Sequence, residues 1–124
     1  MVDPLAPLKK RTHAALVREV LRACNLIPGV FVFPVDVTRV RGRKRTLGMT
    51  GTPDILGWRC EEYALRVGVM YDNSFKIPRI VALEVKVGRD VLRPEQRAFL
   101  DKVRAAGGLA FEIRSAEEAV KALS

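Results

Sequence analysis

Apolar positions recur at helical spacing from about Leu5 to Cys24. Ala15, Leu16, Val20 and Ala23, flanked by Val17, Leu21 and Cys24, make a broad apolar face that one polar residue, Glu19, interrupts. Asn25 to Gly29 supplies turn residues that end this helix. Val30 to Val37 is β-branched enough for a strand, and Pro34 inside it predicts an edge position or a bulge. A short apolar strand begins at Ile55, behind the turn Gly51-Thr52-Pro53-Asp54. Between Arg59 and Pro78 the pattern is mixed. Tyr63, Leu65, Val67 and Val69 alternate as in an extra strand, a short helix is the alternative, and Tyr71-Asp72-Asn73-Ser74 has the composition of a turn. Ile80 to Val87 is apolar on both parities, the pattern of a strand buried on both faces. After a turn at Gly88-Arg89-Asp90, Pro94 takes the first position of a helix, where its missing N–H does no harm. That helix runs to about Ala106 and stops at Gly107-Gly108, with Gln96, Phe99, Leu100, Val103 and Ala106 inward. Leu109 to Ile113 is a further strand, and Ser115 with Glu118 caps a last helix through Leu123. The order is α-β-β-β-α-β-α. It predicts an α/β fold with a mixed central sheet flanked by helices, one domain spanning 1–124, without internal repeat.

Four polar residues sit where this pattern calls for apolar ones. Glu84 and Lys86 are two apart in the most apolar strand, so their side chains leave the same face. An acid and an amine inside a hydrophobic run cost stability unless they pair, hold a metal or do chemistry. A plain Glu–Lys pair at the mouth of the sheet is one reading. Upstream, Asp54 stands at the entrance of a strand; if the two strands are neighbours, two carboxylates and an ammonium converge at one end of the sheet. Glu19 lies on the apolar side of the first helix, where an ion pair with Arg22 or Arg18 is the simple account. Gln96 is the polar member of its helix's inward stripe, and bonding to nearby backbone is its simple account. Trp58 and Tyr71 have stacking surfaces, but a lone Trp near a strand end belongs more often to a core, and neither is assigned a role.

Charge narrows the partners. The 124 residues carry 22 Lys and Arg against 14 Asp and Glu, a net charge of +8. For so small a domain a polyanion is the natural partner, and nucleic acid is the commonest soluble one. Arg39, Arg41, Arg43, Lys44 and Arg45 cluster around Gly42 and lead directly into Gly51-Thr52-Pro53-Asp54, a placement that favours contact with a nucleic-acid backbone. Cys24, Cys60 and His13 are too few for a Cys/His zinc site, and two cysteines exclude a framework of several disulfides. A Ser-His-Asp triad would need His13 in a cleft, whereas the helical pattern puts it on an exposed part of its helix. Any metal is expected to be a hard one held by oxygen. No apolar run reaches about 18 residues, and prolines and lysines occupy Met1 to Arg11 where a signal peptide needs its apolar core. Both point to the cytoplasm, of a bacterium or a phage-infected cell once the likeness below is considered.

Three stretches together resemble the PD-(D/E)XK (restriction-endonuclease-like) nucleases, and within them the small stand-alone form of the VRR-NUC family. They are Gly51-Thr52-Pro53-Asp54-Ile55-Leu56-Gly57, Val81-Ala82-Leu83-Glu84-Val85-Lys86, and Arg93-Pro94-Glu95-Gln96 with Gly107-Gly108 behind it. The likeness spans about Ala14 to Ala119. It implies that Asp54, Glu84 and the main-chain carbonyl of Val85 ligate Mg²⁺ or Mn²⁺, and that Lys86 positions and helps deprotonate the attacking water. It matches Glu19 to the family's acidic residue in the first helix and Gln96 to its glutamine after the strand. It further implies an endonuclease for branched DNA such as Holliday junctions or flaps, working as a homodimer. The rivals are a nuclease of restriction-like or RNA specificity and a non-catalytic basic nucleic-acid-binding module on the same fold. Two departures from the family pattern stand out: Arg93 where a serine cap is common, and Phe33-Pro34-Val35-Asp36 where an Arg/Asn-rich strand is expected.

Overall fold

The computed structural model describes residues 12–35, 51–67 and 70–124. Its elements are α1 (His13–Cys24), β1 (Val30–Pro34), β2 (Ile55–Val67), β3 (Met70–Val85), α2 (Pro94–Ala105), β4 (Leu109–Ile113) and α3 (Ala116–Leu123). This is the expected order, and the four strands form one sheet in the order β1-β2-β3-β4. The first two pairings are antiparallel and β3–β4 is parallel. The parallel pair needs a crossover, which α2 supplies. A mixed sheet flanked by helices is thus the architecture, consistent with the PD-(D/E)XK-like core.

Strand alternation divides the core in two. Val30, Val32, Ile55, Val81, Leu83, Val85 and Ile113 face α1 and α3, meeting Leu16, Val20, Cys24, Ala119 and Leu123. Ala82 and Ala110 face the other way and pack under Leu100 of α2, with Leu56, Leu92 and Val103 around them. β3 is therefore covered on both sides from Val81 to Val85, as its unbroken apolar run predicts. Helix α1 starts at Thr12, whose hydroxyl accepts the Ala15 N–H. It ends at Asn25, whose side-chain amide bonds both the N–H and the C=O of Val32 and so occupies part of the free edge of β1. Pro34 closes that edge strand, where a missing N–H breaks no ladder.

Gly57 is required by the close approach of β1 and β2. A Cβ there would lie 2.0 Å from the Phe31 carbonyl oxygen and 2.7 Å from Val32 Cα. Both are backbone atoms, so no side chain can give way. Gly57→Ala should lower stability on the order of 3 kcal/mol, roughly a 10 °C drop in melting temperature for a chain of this size. A melting curve within 2 °C of the parent (about 0.5 kcal/mol) would contradict this packing.

Three expectations are corrected. The alternating stretch after Arg59 is extended as far as Val67, but as the far half of β2 and not as an extra strand or a helix; Val69 lies outside the described residues. The turn composition of Tyr71 to Ser74 lies within β3, where Asn73 and Ser74 pair with Leu65 and Ala64. Cross-strand pairing along a long hairpin outweighs local turn preference there. Trp58 is not a core residue: it is 43% exposed, with its ring 4.9 Å from that of Phe31. Trp58 faces the α2 side of the sheet, where α2 lies chiefly over β3 and β4 and Leu56 is the β2 residue packed into its cluster. The basic cluster Arg39, Arg41, Arg43, Lys44 and Arg45 lies outside the described residues, as do the predicted start of the first helix and the end of the first strand.

Candidate active site

Local folding brings the polar residues to the end of the sheet where β3 finishes. At Gly51 the backbone is left-handed (φ 85°), and a Cβ would lie 2.3 Å from the Glu95 carbonyl oxygen. Only glycine lets this loop press so closely on the start of α2. Pro53 is buried behind it. The chain then enters β2 with Asp54, one residue before Ile55 pairs with Leu83. Where the ladder stops, the side chain continues it: Asp54 Oδ2 accepts the Val85 N–H at 2.9 Å. Adjacent strands thus carry Asp54 and the Glu84-Val85-Lys86 segment to one place.

Glu84 follows Ala82 on the α2 side of β3 and is 3% exposed. Lys86 continues that parity, and Gln96 reaches it from the first turn of α2; both are buried. Gln96 is the hub. Its Oε1 accepts from Lys86 Nζ (2.9 Å) and from the Arg93 N–H (3.0 Å), while its Nε2 donates to Glu84 Oε1 (3.1 Å). Gln96 therefore caps α2 itself, which accounts for a helix start without a serine at Arg93. Lys86 Nζ stands 3.7 Å from Glu84 Oε1, a looser contact than the bonds through the glutamine.

The arrangement leaves Glu84 Oε2 exceptional. Among the described residues it is the buried side-chain atom without a hydrogen-bond partner. A closed structural Glu–Lys pair would use both oxygens, because an unpaired buried acceptor costs about 1–3 kcal/mol. Burial pushes the Glu84 carboxyl up to about 8, and the negative charge of Asp54 raises it further than the Lys86 ammonium lowers it. Two carboxylates side by side, one with an oxygen lacking any donor, fit a divalent cation. Asp54, Glu84 and the Val85 carbonyl could hold it. No three His, Cys, Asp or Glu side chains among the described residues close into a ready cage, and the main-chain oxygen is part of what this centre offers.

Helix α1 contributes a residue that sequence reasoning set aside. His13 Nε2 lies 3.2 Å from Asp54 Oδ2 and 3.1 Å from the Val85 carbonyl oxygen. The ring is half-exposed, as the helical pattern predicts, yet it reaches the cluster. A signal was present: His13 stands three residues before Leu16 and seven before Val20, at the N-terminal end of the buried stripe. Glu19 comes six residues after His13, about 9 Å along the axis and roughly 240° around it. The helix therefore presents Glu19 on a different side from the imidazole. Asp54, Glu84, Lys86, Gln96 and the Val85 carbonyl come together; Glu19 is partly buried on α1, and the basic cluster falls outside the described residues.

Neither curated proteins nor solved structures gave a match. A family model for the VRR-NUC domain matches residues 38–117. That span holds β2, β3, α2 and β4, hence the Asp54 turn, the Glu84-Val85-Lys86 strand end and the Gln96 helix start, in the order and adjacency described above. Sequence match and strand-end geometry agree, and the chain belongs to the VRR-NUC family, a nuclease-type domain.

Proposed function

We propose that this chain is a divalent-metal-dependent endonuclease that hydrolyses phosphodiester bonds in DNA, with branched molecules such as four-way junctions and flaps as substrates. The observation that carries the reading is the orphaned, buried Glu84 Oε2 beside Asp54, with Lys86 held next to it through Gln96. Asp54, Glu84 and the Val85 carbonyl would hold Mg²⁺ or Mn²⁺. When bound, a cation of this kind would polarise a phosphoryl oxygen and lower the pKa of a water, easing its conversion to the nucleophile. Lys86 places a fixed positive charge where the attacking oxygen and the phosphate meet, and its remaining N–H donors position the water and favour its loss of a proton to solvent. Gln96 fixes both the Lys86 amine and the Glu84 carboxylate, so neither needs to reorganise during the reaction. The centre itself is acidic, and the net charge of +8 must reside elsewhere on the surface, gripping phosphates.

One chain offers one centre. Paired cutting of a symmetric junction then calls for a two-fold homodimer. The far part of the β2–β3 hairpin is a candidate surface: Tyr63, Phe75 and Ile77 are 44%, 45% and 46% exposed, and a two-stranded ribbon gains from being covered. The rival reading, a module that binds without cutting, leaves the unpaired oxygen of Glu84 without a purpose.

The test is a panel of labelled four-way junction, flap, linear duplex and RNA, each with Mg²⁺, Mn²⁺ or EDTA. Paired nicks in the junction with either metal, and none in EDTA, are expected. Binding without cleavage under every metal would establish the rival.

A further inference from the structure

The family match begins at residue 38, so it assigns nothing to α1. We propose that His13 ligates the divalent cation through Nε2, beside the Asp54 carboxylate and the Val85 carbonyl, and that this nitrogen biases the centre toward Mn²⁺ over Mg²⁺. The inference rests on the metal-dependent reading above.

Three observations converge on it. First, the position is built rather than incidental. Thr12 caps the helix one residue earlier, and Leu16, Val20 and Cys24 seat α1 against the sheet. The first turn is therefore fixed over the end of β3. Second, a single nitrogen meets two oxygens that are themselves suited to a cation, at 3.2 and 3.1 Å. A lone N–H shared between two acceptors at these lengths makes two weak hydrogen bonds. The spacing suits shared coordination better: neighbouring ligand atoms around an octahedral ion with bonds of about 2.1–2.2 Å lie roughly 3.0–3.1 Å apart. Third, the charge is right. Asp54 and Glu84 already bring two negative charges, and a neutral imidazole adds a donor without adding a third. With Nε2 as ligand, the proton sits on Nδ1, on a ring that is half-exposed.

Donor type then sets preference. Mg²⁺ demands oxygen ligands and keeps several waters, whereas Mn²⁺, although it too suits oxygen, belongs to the first-row series whose sites take nitrogen donors; exchanging one oxygen for an imidazole therefore costs Mg²⁺ more than Mn²⁺.

His13 is the only histidine in the chain, so labelling it is unambiguous. The full chain would be loaded with Mn²⁺ and examined by pulsed electron paramagnetic resonance. The expected result is a nitrogen-14 coupling that changes to nitrogen-15 when the protein is made with labelled histidine. His13→Gln should remove the coupling and reduce the Mn²⁺-over-Mg²⁺ affinity ratio at least roughly tenfold. Mn²⁺ that binds the parent and is lost in Asp54→Asn, yet shows no histidine coupling, overturns the role of His13 and leaves the nuclease reading standing. A parent that binds no Mn²⁺ removes both. The labelled-parent signal needs no variant, so poor folding of His13→Gln does not obscure the answer.

Discussion

Lys86→Ala protein should bind a four-way junction as the parent does and cut it roughly 10²–10³-fold more slowly. The two halves of that expectation have different origins. Lys86 is 9% exposed and spends its donors on Gln96 and Glu84, so it contributes little to the outer field that attracts DNA. Affinity comes from the surplus of basic residues elsewhere and falls with salt in both proteins alike. The rate depends on a charge aimed at a developing negative oxygen, worth far more in a buried setting than in water. Removing an ammonium next to two carboxylates also removes its repulsion of a cation. Metal affinity should therefore hold or rise in the variant, which separates a loss of chemistry from a loss of metal. Gel-shift, metal titration and single-turnover cleavage of the same preparation provide the check. A folded Lys86→Ala that cuts at the parental rate would falsify the mechanism.

What could be read before folding was whatever each element declares by itself. The buried run Ile80–Val87 announces a central strand, Pro94 and Gly107-Gly108 bound α2, and Gln96 stands out as polar on an apolar stripe. Glu84 was legible as a misplaced charge and Asp54 as a carboxylate at a strand entrance, but their meeting depends on β2 and β3 being neighbours, which the resemblance supplied and periodicity did not. The far half of the hairpin was misread because Tyr71-Asp72-Asn73-Ser74 has turn chemistry. Only the register against Leu65 and Ala64 shows that the strand passes through it. Trp58 was misplaced for a related reason. Which face of an edge pair remains bare depends on where α2 lands, a tertiary fact. His13 was set aside because helical periodicity reports the face a residue occupies and not how far its side chain extends past the helix end. Its reach is decided by how α1 crosses the end of β3.

Without added metal, melting temperature should fall as pH rises from about 5 to about 8, and Glu84→Gln should flatten that dependence. The sign follows from the carboxyl group. Its ordinary value is 4.5 and in the folded chain it is pushed up to about 8, first by burial and then by Asp54. Between those values the folded protein keeps a proton on Glu84 that the unfolded chain has released, so raising the pH favours unfolding. Below about 4.5 both states are protonated and the group is silent; above about 8 the loss is complete. One proton's difference is worth ~1.4 kcal/mol per pH unit within the window, or roughly 5 °C per unit at most for this size. Glu61, which Arg59, Tyr63 and Arg79 hold down at about 2, acts only in stronger acid and does not enter. Saturating Mg²⁺ or Mn²⁺ removes the trend, because the cation takes the place of the proton: binding releases it, affinity climbs with pH to about 8, and that gain cancels the loss seen without metal. Glutamine keeps the shape and the bond from Gln96 but has no proton to lose. The Glu84→Gln protein should thus match or exceed the parent's metal-free stability at pH 8, show little further stabilisation by metal, and not cut. Thermal melts from about pH 5 to 8.5, in EDTA and in metal, decide it; an equal slope in parent and variant would mean that the proton in question resides on another group.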